Sequence, residues 1–194
     1  MMEILGYVLY PGQEDYKTRW IKEEDYDEVV CEECHSLLVD DYFNDDVKLQ
    51  KMKYDFLWVA DGANIFVTEK VKQFIIDNGY TGIELRPLRT MEGVYNLKCN
   101  NLITIEKELL DYGKKCNKCG EYTSITTGQY SIFYKNKWYY TYVKEKVKDG
   151  FFITDLKFGE HTYKSPELII GTETYKKMKK AHLKGFIAAP LVKE

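Results

Sequence analysis

The segments CEECH, beginning at Cys31, and CNKCG, beginning at Cys116, each carry a CxxC pair, with 81 residues between Cys34 and Cys116. The x₂ spacing lets both sulfurs of a pair face one ion, and two pairs supply the four soft ligands of a tetrahedral zinc site. A shared site of this kind forces two distant segments to meet. The long insertion is no obstacle, because loop-closure cost grows only with the logarithm of length. The spacing therefore predicts one structural Zn2+ held by Cys31, Cys34, Cys116 and Cys119 as two knuckles at 31–34 and 116–119. Gly120 suits the positive φ that follows the second cysteine of a knuckle, whereas His35 stands there in the first pair, where a side chain is less comfortable.

Redox use of the cysteines is the rival reading. It needs a depressed thiol pKa, usually from positive neighbours or a helix N-terminus, and Glu32 and Glu33 push the other way. His35 in place of one sulfur is a lesser alternative. Cys99 is left over and reads as a small buried hydrophobe. Four sulfurs leave a metal no open position, so no hydrolytic role follows.

With 194 residues and 44% hydrophobic content, the chain can build a core that does not depend on the metal. The charged fraction is 30%, and no apolar run approaches the ~20 residues of a membrane span. The opening MMEILGYVLYPG has an early Glu3 and no Lys or Arg before its apolar patch. It reads as a first strand ending at Pro11-Gly12 rather than a signal peptide. The expectation is a cytoplasmic protein, in which paired CxxC motifs favour metal over disulfides.

Charge is unevenly placed. The net charge is −3, yet residues 1–50 hold 14 Asp and Glu against 4 Lys and Arg, leaving 17 acidic and 24 basic residues in the remainder. The acidic runs are KEEDYDEVVCEEC and VDDYFNDD. One reading is a solvated face; the sharper one is a docking surface for a basic partner, with Glu23, Glu24, Asp25, Asp27 and Glu28 as its candidates. Either reading argues against this half lying on nucleic acid.

Two segments resemble each other, Ile65 to Leu88 and Ile169 to Leu191. Each runs from a short apolar strand through a Thr-Glu pair (Thr68-Glu69, Thr172-Glu173) into an amphipathic helix. Each then passes a glycine and ends in an apolar strand at Pro-Leu. Asp55 and Asp155 open the two aromatic-bearing approaches upstream. These matches predict an internal strand-helix-strand repeat, with Thr68 and Thr172 at or within one residue of the helix N-caps. YSIFYKNKWYYTYV reads as a β-hairpin around Lys135-Asn136-Lys137. LITIEKELLDYGKK reads as a strand and a helical turn closed by Gly113. With no Pro/Gly/Ser linker, the prediction is a single α+β domain over 1–194: a mixed sheet, few helices, the repeat and a zinc-ribbon-like Cys₄ site.

His35, His161 and His182 stand in unrelated contexts, and no P-loop, GxSxG or HExxH occurs. The chain is read as a non-enzyme. In FYKNKWYYTYVKEKVK the lysines and aromatics alternate as in a base-stacking surface, but a half-buried hairpin with its lysines in water is the reading favoured.

With these residues in view, the chain resembles the double-CxxCG motif family of bacterial proteins, through Cys31-to-Cys34, Cys116-to-Gly120 and the two T-E…G-φ…P-φ units. The likeness spans nearly the whole length, and its motifs are short. Members are described as immunity proteins against polymorphic toxins. The resemblance implies a cytosolic, non-enzymatic protein that neutralises a cognate toxin by stoichiometric binding, with Cys31, Cys34, Cys116 and Cys119 as the paired cysteines. His35 stands where the motif has glycine. The alternative is a zinc-ribbon nucleic-acid-binding regulator using the lysine-aromatic hairpin.

Overall fold

The computed structural model describes residues 2–59 and 64–193 and is α+β, with two mixed sheets and three short helices among the described residues. The first half holds strands β1 (Glu3–Pro11) and β2 (Glu14–Asp15), helix α1 (Tyr26–Val29), strands β3 (Phe56–Val59) and β4 (Asn64–Thr68), helix α2 (Glu69–Asp77), and strands β5 (Ile83–Pro87) and β6 (Val94–Cys99). The short strands β7 (Leu102–Ile103), β8 (Asp111–Tyr112) and β9 (Ser124–Thr126) follow. Next come β10 (Ser131–Tyr134), β11 (Lys137–Tyr140), β12 (Phe151–Glu160), β13 (Ser165–Ile170), helix α3 (Thr172–Lys180) and β14 (Phe186–Lys193). One sheet is ordered β10-β11-β14-β1-β13-β12-β9-β8 with β7 beside β12, and the other β2-β3-β4-β6-β5.

The first strand ends at Pro11, as the sequence indicates. Lys135 and Asn136 both take positive φ (49° and 61°), the two-residue turn that matches the twist of the β10–β11 hairpin. The stretch before the second CxxC differs from expectation. It forms β7, a single turn in which Leu110 N–H reaches the Lys107 carbonyl, and then β8, while Gly113 pairs with Ser124 inside the β8–β9 hairpin.

The two strand-helix-strand segments take the same path. In each, the two strands flank a third that is antiparallel to both: β6 lies between β4 and β5, and β1 lies between β13 and β14. A fourth strand, β3 or β12, pairs with the far edge. The orders β3-β4-β6-β5 and β12-β13-β1-β14 are thus one pattern with different connectivity. In the first unit the inserted strand follows the helix; in the second it arrives from the N-terminal end, making the second unit a circular permutation of the first. The registers agree: Tyr95 lies between Val67 and Pro87 as Tyr7 lies between Ile170 and Pro190.

The helix ends match as well. Tyr80 N–H reaches the Ile75 carbonyl at 3.1 Å and Leu183 N–H the Met178 carbonyl at 3.2 Å. Each bond spans a left-handed residue, Gly79 (φ 65°) or His182 (φ 52°), which is the six-to-one closure of a Schellman motif. Thr68 is the N-cap of α2, whereas Gly171 caps α3 and Thr172 opens its first turn. The Thr-Glu pairs are therefore one residue out of step with the helices. Asp55 and Asp155 are not equivalent. Thr68 N–H bonds the Asp55 carbonyl and Gly171 N–H the Gly150 carbonyl (3.2 and 3.4 Å), so Asp55 matches Gly150. Asp155 lies within β12 and accepts from Ile105 N–H and the Lys107 ammonium.

Alternation along the strands builds the layers. Phe56, Val67 and Leu97 face a core that the two sheets share, which Val71, Phe74 and Ile75 of α2 and Met178 of α3 complete. Leu57, Val59 and Phe66 face the other way, under Trp20, Ile21, Val29, Val30 and Val47 from the excursion between β2 and β3. A third cluster covers the other face of the larger sheet, with Val8, Ile169, Tyr142 and Leu191 at its centre. Cys99 belongs to the shared core. Its thiol contacts the Phe151 carbonyl at 3.3 Å, and burial pushes its pKa up to about 11. Among the described residues no helix is long and apolar enough to cross a membrane.

Candidate metal centre

The two knuckles are built alike from their backbones. In the first, Val30 and Leu37 form an antiparallel bridge, Cys31 N–H reaches the Ser36 carbonyl at 2.9 Å and His35 N–H the Cys31 carbonyl at 2.8 Å. In the second, Lys115 bridges Tyr122, Cys116 N–H reaches the Glu121 carbonyl at 2.8 Å and Gly120 N–H the Cys116 carbonyl at 3.0 Å. Tight closure puts the residue after the second cysteine in the left-handed region, at φ 77° for Gly120 and 56° for His35. The histidine therefore adopts the conformation that glycine adopts without steric cost. Helix α1 delivers the first knuckle, and the β8–β9 hairpin presents the second at its tip.

Folding brings the pairs together. The sulfurs of Cys31, Cys34, Cys116 and Cys119 all lie within 4.8 Å of one another, with Cys31 Sγ to Cys116 Sγ at 3.9 Å and Cys34 Sγ to Cys119 Sγ at 3.5 Å. A tetrahedron with metal–sulfur bonds of ~2.3 Å has edges of about 3.8 Å, so the four thiols fit a metal ion. All five cysteines are free of disulfides. Cys31, Cys34 and Cys116 are buried and Cys119 is half-buried, so the cluster is nearly closed to solvent.

Four adjacent thiols resist ionising together. Burial opposes ionisation of Cys34, but hydrogen bonds from Ser36, through its hydroxyl and backbone N–H, and from Cys119 and Cys116 bring the thiol down to about 6. Burial and the neighbouring sulfurs push Cys119 up to about 12. Adjacent thiols oppose one another's ionisation, and a cation bound among them would favour the thiolate forms. The expectation that acidic neighbours keep these thiols protonated does not hold at Cys34. Glu32 and Glu33 face solvent, and Glu32 pairs with Lys118 at 2.5 Å.

Three neighbours support the cluster without belonging to the cysteine pattern. Ser36 is buried beside Cys34; His161 Nδ1 lies 2.9 Å from the Cys34 carbonyl oxygen; and buried Lys164 donates to the Tyr122 carbonyl and Glu121. His35 packs its ring 6.2 Å from that of His161, and with four sulfurs convergent it is not needed as a ligand. Only Ser36 carried a sequence signal, its position beside the knuckle. No protein-family model matches the chain, and no curated protein matches it either. The four convergent sulfurs could hold a metal ion, and together they would fill a tetrahedral coordination sphere.

The acidic residues at 40–46 and those at 23–28 differ in their surroundings. Asp41 pairs with Arg86 and Lys98 (2.7 and 2.6 Å), Asp40 with Lys157, and Asp45 and Asp46 with Arg89. The Arg86 guanidinium and the Lys98 ammonium hold Asp41 down at about 2. Glu23 to Asp25 form a single 3-10 turn running into α1. Glu23, Glu24, Asp27 and Glu28 are exposed there, while Asp25 accepts a hydrogen bond from Tyr42 at 2.8 Å.

Proposed function

We propose that this protein is a non-enzymatic immunity protein of the cytoplasm, which neutralises a cognate bacterial toxin by stoichiometric binding and carries a structural zinc ion in its four-cysteine site. The observation that carries the reading is the split of the acidic residues. The run at 40–46 is neutralised within the fold, whereas Glu23 and Glu24, on the 3-10 turn, and Asp27 and Glu28, on the short helix α1 that leads into Cys31, remain exposed. An unneutralised carboxylate row on a braced element suits a basic partner, raising its association rate. Zinc is the ion that closed four-thiolate sites most commonly hold.

The test is co-expression with the product of the neighbouring gene, followed by association kinetics at two salt concentrations. Reversing Glu24 and Asp27 to lysine slows association about tenfold at low salt, with a smaller effect at high salt. Unchanged kinetics in the reversed protein would remove the acidic row from the mechanism. The second reading, a zinc-ribbon regulator that binds nucleic acid, is favoured by Phe133, Tyr134 and Trp138, which are exposed on the β10–β11 hairpin beside Lys135 and Lys137. Tight, salt-sensitive binding to RNA or DNA, without capture of any neighbouring gene product, would favour it over immunity.

A further inference from the structure

A cavity of about 550 Å³ lies between β2, β3 and the turn from β12 into β13. Its aromatic walls include Tyr16, Trp58 and Tyr163, and Glu14, Glu160 and Glu167 also line it. Tyr16 and Trp58 meet edge to face, with ring centroids 6.1 Å apart and planes at 87°, forming a corner of two perpendicular aromatic surfaces. Tyr16 is 70% exposed and Tyr163 is 47% exposed, so these rings are available at the mouth. Among the described residues no Lys or Arg lines the cavity. Two of these glutamates have neutral partners instead. Glu14 accepts from the Tyr16 hydroxyl, and Glu167 accepts from Tyr10 at 2.8 Å and from Tyr142; Glu160 is exposed. The larger cleft of about 680 Å³ beside β6 is different, since Asp41 there is already matched by Arg86 and Lys98.

We propose that this cavity binds an organic cation with an alkylammonium or guanidinium head, held against the Tyr16–Trp58 corner and neutralised by the surrounding carboxylates. Aromatic faces attract such heads through their quadrupoles, and the attraction strengthens where water is excluded. An anion would meet acidic side chains and no cation. A purely apolar ligand would leave the acidic lining without a role. The site does not depend on the toxin reading, and the head is supplied either by a free small molecule or by a Lys or Arg side chain of a partner.

Titration followed by the three tryptophan indole N–H resonances tests it on the full chain. Choline and butylguanidinium shift the Trp58 resonance saturably with dissociation constants on the order of 1 mM. The uncharged isostere of choline, 3,3-dimethylbutan-1-ol, leaves that resonance in place. Tyr16→Leu, which removes an exposed wall, and the Glu14→Gln/Glu160→Gln double change, made at exposed positions, each weaken the cations about fivefold. Short acetylated peptides centred on Arg or Lys separate the sources: tenfold tighter binding than the free cations assigns the head to a partner chain, and equal or weaker binding to a small molecule. Equal binding of the neutral isostere, no shift at Trp58, or undiminished affinity in both variants overturns the proposal.

Discussion

At the residue scale, the two knuckles meet one backbone requirement with different side chains. A Cβ placed on Gly120 would have nothing within 4 Å, so its φ of 77° is the whole obstacle to substitution. Gly120→Ala is expected to cost about 1–2 kcal/mol in urea denaturation of the metal-loaded protein; no loss would mean that the knuckle relaxes. Glu167 supplies a pH-dependent case. Burial pushes its carboxyl up, against the donated hydrogen bonds of Tyr142 and Tyr10. A carboxyl raised in the folded state binds its proton more tightly than in the unfolded chain, so stability falls as pH rises from the ordinary carboxylate range through the folded value. Glu167→Gln keeps the shape without the charge. Its stability should equal the parent's at pH 4 and exceed it at pH 8, in melts across that range. A variant less stable at both values would show that the carboxylate is needed for packing instead.

At the element scale, the paired helices give a matched experiment. Gly79 and His182 occupy the same left-handed position after α2 and α3, and a Cβ on Gly79 has open space. Gly79→Ala should lose about 1 kcal/mol and His182→Gly should gain up to about 1 kcal/mol. Thermal melts giving both changes the same sign would contradict the equivalence. The repeat was legible because its signals are local: a helix start, a glycine, a strand that ends in Pro-Leu. Its strand partners were not. Nothing in the sequence near Ile169 indicates that β1, over 150 residues away, fills the place that β6 fills in the first unit. The mismatch of Asp55 with Asp155 has the same origin, because equivalence there is set by pairing register rather than by residue type. The acidic runs looked alike for a related reason: Arg86, Lys98 and Lys157, which neutralise one of them, lie far along the chain. The cavity's aromatic corner and third wall come from Tyr16, Trp58 and Tyr163, too dispersed to form a motif.

At the scale of the whole molecule, a metal ion held by the four cysteines would act as a clasp. Val29 and Val30, just ahead of the first knuckle, pack with Leu57 and Phe66 on the outer face of the smaller sheet, while the second knuckle belongs to a hairpin that extends the larger sheet through β9 and β12. A metal bound by both ties the cover of one sheet to the edge of the other across 85 positions of sequence. Closing a loop of that length restrains the unfolded chain by up to about 4–5 kcal/mol on the relation used for disulfides. None of the four belongs to the three large hydrophobic clusters, which hold most of the buried side chains. Metal removal should therefore loosen the protein without unfolding it. Elemental analysis is expected to find one zinc per chain, and a strong chelator should release it and lower the melting temperature while far-ultraviolet dichroism stays near its starting value. Hydrogen exchange should then speed at the amides of Cys31, His35, Cys116 and Gly120, whose bonds close the knuckles, and stay slow in β1 and β13 between the packed cores. Cys116→Ser should reproduce the chelated state. A chelated protein that melts like the parent would show that the clasp carries no strain across the sheets, and one that loses its dichroism altogether would show that the hydrophobic layers cannot hold the fold without the metal.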